Sequence, residues 1–121
     1  VCVSNKYPVS IKTCFNETGY LLDTHTAIGY GVLKQYQQET GDHTKTVLLS
    51  TASPYKFPES VYQAIYGEEL DVYTAIDKLS EKTGVPVPQA LAGIKEREVL
   101  HKEAIDKTEI ISFIKSEIEA M

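Results

Sequence analysis

One uninterrupted apolar run, Val47-Leu48-Leu49 between Thr46 and Ser50, constrains this chain more than any other feature. A strand with one wet face alternates apolar and polar residues. A continuous run predicts burial on both faces, the pattern of a parallel strand. Such a strand, over about 46–50, needs neighbours for its two rows of backbone N–H and C=O groups. The remaining sequence supplies helices instead. Either Val47–Ser50 is irregular within a helical bundle, or most of the sheet lies elsewhere. The expectation taken forward is a helix-rich α/β fold with one buried parallel-type strand among five or six helices.

The helices are read from spacing and stop signals. Ile11, Cys14, Phe15 and Thr18 share a face, Gly19 ends the pattern, and Pro8 fits an opening turn, which predicts a helix over about 6–18. Asp23 and Thr24 are good caps for a second helix reaching Gly41. Gly29 and Gly31 weaken that helix by about 1 kcal/mol each relative to Ala, so close approach of another backbone is expected there. Pro58 opens a third helix that Gly67 closes. Val72, Ala75, Ile76 and Leu79 define a fourth over about 69–82. Val85-Pro86-Val87-Pro88 is extended, with a short turn of helix from Pro88 to Ala92. Residues 95–105 fit a charged helix or a strand. Asp106 and Glu109 form a capping box for a last helix carrying Ile110, Ile111, Ile114 and Ile118.

Composition narrows the function classes. Twelve basic against 17 acidic residues give a net charge of −5, which argues against nucleic-acid binding, where clustered Lys and Arg must neutralise phosphates. No apolar run approaches the roughly 20 residues of a membrane span, so no membrane partner is expected. Cys2 and Cys14 lack metal or redox spacing and suit a reducing, cytoplasmic setting. His25, His43 and His101 have no metal-ligand spacing, and no metal is expected. Nothing arranges Ser, His and Asp as a triad. The chain begins with Val1 and not Met, which suggests a segment of a longer gene product.

The best local site candidate is the turn Ser50-Thr51-Ala52-Ser53-Pro54, because ligands of open α/β sheets bind beyond the carboxyl ends of strands. The plainer reading is that these hydroxyls cap a turn.

That turn, continued as Leu49-Ser50-Thr51-Ala52-Ser53-Pro54-Tyr55-Lys56-Phe57-Pro58, resembles a signature of the threonine synthases, Thr-Ala-His-Pro-Ala-Lys-Phe after an apolar strand. Upstream, Gly19-Tyr20-Leu21-Leu22-Asp23-Thr24-His25-Thr26-Ala27 is similar to the family's Gly-Tyr-x-Leu-Asp-Pro-His-Thr-Ala. Gly84–Pro88, Glu96–Val99 and His101-Lys102 resemble its C-terminal region. Thr24, Ser53 and Tyr55 depart from the pattern, standing where the family has Pro, His and Ala. Any role of that histidine does not transfer.

The resemblance implies that residues 1–121 are the C-terminal segment of a pyridoxal-phosphate enzyme of the tryptophan synthase β-subunit fold group (fold type II), making threonine and phosphate from O-phosphohomoserine. It implies no catalytic residue here, because the family's Schiff-base lysine and phosphate-binding glycine loop match nothing in the chain. Thr51 would donate a hydrogen bond to the pyridine nitrogen, with Ser50 as the neighbouring alternative. Lys56 would face an anionic phosphate or pair with Glu59. His25 would meet substrate or order the pocket, unless it serves as a cap or core residue. The segment alone would be inactive and would self-associate. The rival reading is an autonomous helical interaction module without enzyme activity.

Overall fold

A computed structural model describes residues 6–100 and 102–121; Cys2 and His101 lie outside them. Five α-helices follow in order: α1 Tyr7–Thr18, α2 Thr24–Thr40, α3 Pro58–Tyr66, α4 Val72–Thr83 and α5 Ile110–Glu119. Single 3-10 turns occur at Pro54–Lys56 and Ile94–Glu96.

The boundaries follow local chemistry. Pro8 sits in the first turn of α1, where a missing N–H costs nothing. Gly19 ends that helix at φ 73°, a conformation that a Cβ disfavours, and its N–H closes onto the Phe15 carbonyl at 2.8 Å. Asp71 caps α4 by accepting from the N–H groups of Tyr73 and Thr74. The fourth helix therefore starts at Val72, its first apolar position, and not at 69 as expected. The expected box at Asp106 and Glu109 is only half made: Asp106 N–H donates to Glu109 Oε2 at 3.2 Å, but Asp106 Oδ1 accepts from the Thr108 N–H, and α5 starts at Ile110 without a side-chain cap.

The core sits among α1, α3 and the residues each supports. Helix α1 packs against both α2 and α3, and α3 packs against α4. Ile11, Ala27, Val61, Tyr62, Ala75 and Leu79 are essentially inaccessible, with Cys14, Leu21, Leu22, Tyr55, Ile65 and Ile76 completing the cluster. Helix α5 contributes no buried residue.

The expected α/β class is corrected: the described residues are helical and contain no strand. Val47 and Leu49 are 80% and 76% exposed, so the segment 46–50 is neither paired nor buried. The reason is the one that made the run conspicuous. A strand is held by ladder hydrogen bonds from a neighbour, and the described residues provide none. Continuous apolarity by itself does not create a strand. Only Leu48 turns inward, laying its side chain over Gly29 of α2. Gly31 lies against the Ser10 hydroxyl of α1. The close approach at both glycines is thus made by side chains and not by backbone. The described residues of 95–105 form neither helix nor strand beyond the turn at Ile94–Glu96, and Pro88–Ala92 closes only a turn.

Candidate functional site

The candidate residues gather around the start of α2 and the loop that leads into α3. Asp23 precedes α2 in extended conformation and is fully buried. Its Oδ1 accepts from the N–H groups of His25 at 2.8 Å and Thr26 at 3.2 Å. These are donors that every helix start leaves without an intrahelical partner. Its Oδ2 points the other way. It accepts from the Thr26 hydroxyl and lies 3.4 Å from the hydroxyl of Ser50, 27 residues further along. The Thr26 and Ser50 hydroxyl oxygens are 3.2 Å apart.

Burial alone would raise the Asp23 carboxyl. Hydrogen bonds from the Thr26 hydroxyl and from the Thr26 and His25 N–H groups outweigh it, with the His25 imidazole adding a smaller effect. The group is held below the ordinary carboxylate range. A carboxylate only accepts hydrogen bonds. Thr26 and Ser50 both point a hydroxyl proton at it, the latter sharing its proton with the Ala52 carbonyl at 3.4 Å.

The structure therefore separates the two residues that the sequence placed side by side. Ser50 is engaged at the helix start. Thr51 is exposed, and no described residue takes or gives a hydrogen bond at its hydroxyl. Beyond it, Ser53 accepts from the Tyr55 N–H at 3.2 Å and starts the 3-10 turn. Tyr55 then enters the core at 2% exposure, and its hydroxyl donates to the Val85 carbonyl. Burial pushes its phenol up, with the Ser80 and Thr83 hydroxyls opposing. The loop is thus tied at Ser50 and at Tyr55, with Thr51 between.

His25 is two-thirds exposed, neither core residue nor cap. Its ring lies 4.9 Å from that of Phe57, tilted by 49°, and its Nδ1 is 3.6 Å from Asp23 Oδ1. Lys56 is exposed and, among the described residues, pairs with neither Glu59 nor any other carboxylate. His25 and Lys56 line different surface depressions that share Phe57. No cluster of His, Cys, Asp or Glu suited to a metal ion occurs among the described residues. No helix there is long and apolar enough to cross a membrane.

Sequence reasoning missed Thr26 and the second role of Asp23. The Asp-x-x-Thr spacing announces a cap. No local signal announces that its outer oxygen meets Ser50.

Helix start and loop together define a helical segment that presents hydroxyl donors on a loop tied at both ends. The family described as "Threonine synthase, C-terminal" matches residues 26–114, and the chain belongs to that family. The match takes in Thr26, Ser50, Thr51 and Lys56, while Asp23 and His25 precede it. No match is found among curated proteins.

Proposed function

We propose that residues 1–121 form one C-terminal segment of a cytoplasmic, pyridoxal-phosphate-dependent threonine synthase. The complete enzyme, a lyase, converts O-phosphohomoserine and water to threonine and phosphate. The observation carrying this reading is the family match across the loop where Thr51 holds out an unengaged hydroxyl.

The donor chemistry fits the cofactor. A pyridine nitrogen accepts one hydrogen bond, and Thr51 has one to give, whereas the Ser50 proton is divided between Asp23 Oδ2 and the Ala52 carbonyl, each at 3.4 Å. When bound, pyridoxal phosphate supplies the electron sink for elimination and water addition at the substrate's β and γ carbons. Thr51 orients the ring through a neutral donor, which does not hold a proton on the nitrogen as a carboxylate would. Lys56 offers a positive charge to a phosphate. His25, its ring tilted against Phe57, shapes the neighbouring wall. Residues 1–121 include no lysine in the family's attachment setting, so on this reading the chain alone is inactive. It also self-associates.

The test is Thr51→Val in the complete enzyme. It keeps the shape and removes the donor, leaving a ring acceptor unpaired at a cost of about 1–3 kcal/mol. Cofactor affinity should fall about tenfold or more. Thr51→Asp should lower turnover and raise transamination, because its carboxylate favours the protonated ring. If Ser50→Val weakens cofactor binding while Thr51→Val does not, the contact belongs to Ser50.

A further inference from the structure

We infer that Asp23 is a positioning residue for the loop: its Oδ2 anchors Ser50 and thereby sets the place of Thr51. This deepens, and rests on, the reading of Thr51 as the cofactor-ring contact.

Three observations carry it. The two oxygens of Asp23 are divided, Oδ1 serving the α2 amides and Oδ2 facing the Thr26 and Ser50 hydroxyls. A cap needs only the first. The carboxylate is fully buried, although caps at helix starts are usually wet; that of Asp71 on α4 is exposed. Finally, the described chain on the N-terminal side of Ser50, from Gly41 onward, is irregular and mostly exposed. The Leu48 side chain over Gly29 and the hydroxyl link at Ser50 are therefore what tie that side of Thr51 to the helical body, and the link is the tie next to Thr51. On the other side, Tyr55 is held by the core.

Asparagine separates the two duties. It caps helices as well as aspartate does, with its carbonyl taking the place of Oδ1. Its amide puts donors where Asp23 had an acceptor, so Thr26 and Ser50 keep a bond to it only by turning their own protons away and accepting. Asp23→Asn thus keeps the cap and removes the charged acceptor, which weakens the link, and Ser50→Ala breaks it outright from an exposed position.

Two measurements on the complete enzyme read it: methyl relaxation at Thr51 and Ala52, and cofactor affinity by spectroscopic titration. Both variants should loosen the two methyl groups and weaken cofactor binding about threefold, less than Thr51→Val. The double variant should be no worse than Ser50→Ala, in which the Asp23–Ser50 link is already gone. If methyl mobility and affinity stay native in both variants while Thr51→Val weakens binding, the anchoring role is overturned and the Thr51 contact stands. Additive losses in the double variant also overturn it. If Thr51→Val leaves affinity unchanged, the reading beneath it falls.

Discussion

Asp23 concentrates several demands in one buried carboxylate, and acid should expose them. Its folded-state ionisation is shifted below the ordinary carboxylate value of about 3.9. A depressed folded value means that the unfolded chain takes up a proton first as pH falls. The stabilisation is therefore complete above the unfolded value and is lost as pH drops through the folded one. Asp42, Asp71 and Asp106 shift the same way through their hydrogen bonds from Thr44, Thr74 and Thr108, but Asp71 and Asp106 are exposed and Asp42 half-buried, and all three are screened. Urea unfolding from about pH 5 downward should show falling stability, with a shallower fall in Asp23→Asn. Equal slopes for the two proteins would show that Asp23 is protonated no later in the folded chain than in the unfolded one. Tyr55 matters at the same scale. It stands where the resembled motif has Ala, and its burial gives the loop an apolar anchor that Ala could not provide.

The elements divide by how local their causes are. Gly29 and Gly31 stand two positions apart in α2, yet their neighbours differ in kind. A Cβ on Gly29 would come within 2.9 Å of Leu48 Cδ1, the tip of a flexible, partly exposed side chain. A Cβ on Gly31 would come within 2.6 Å of the Ser10 hydroxyl, which is short and buried between α1 and α2. Gly29→Ala should thus gain about 0.5–1 kcal/mol from helix propensity. Gly31→Ala should lose about 1 kcal/mol or more, because overpacking costs about 1–3 kcal/mol and outweighs the same gain. Thermal unfolding of the two variants checks both signs, and a stabilised Gly31→Ala would show that Ser10 simply rotates away. Helix limits were legible for the corresponding reason: Pro8, Gly19, Asp23, Pro58, Gly67 and Gly84 act on backbone within one turn of themselves. The strand over 46–50 was misread because a ladder depends on partners remote in sequence, on which an apolar run is silent. The turn holding Thr51 could be located from its residue types. The bond that ties Ser50 to Asp23 could not, since nothing within 27 residues marks it.

Across the whole molecule, apolar surface is unevenly spent. Helices α1 to α4 and Tyr55 enclose the core, while α5 leaves Ile111 70% and Ile118 65% exposed, with Val47 and Leu49 bare on the loop. Contiguous apolar surface beyond a few hundred Å² is unusual on monomers, and burying it is worth roughly 25 cal/mol per Å². The net charge of −5 opposes association, but that repulsion is screened beyond about 8 Å at physiological salt. The isolated chain should therefore self-associate as its concentration rises. Sedimentation equilibrium on the native chain and on an Ile111→Lys, Ile118→Lys double variant tests the source. The variant loses no buried contact, because α5 has none, so its unfolding free energy should stay within about 0.5 kcal/mol of native. Its association should nevertheless weaken strongly. A native chain that stays monomeric at high concentration would overturn the prediction. Undiminished association of the variant would move the contact away from α5, to Val47 and Leu49.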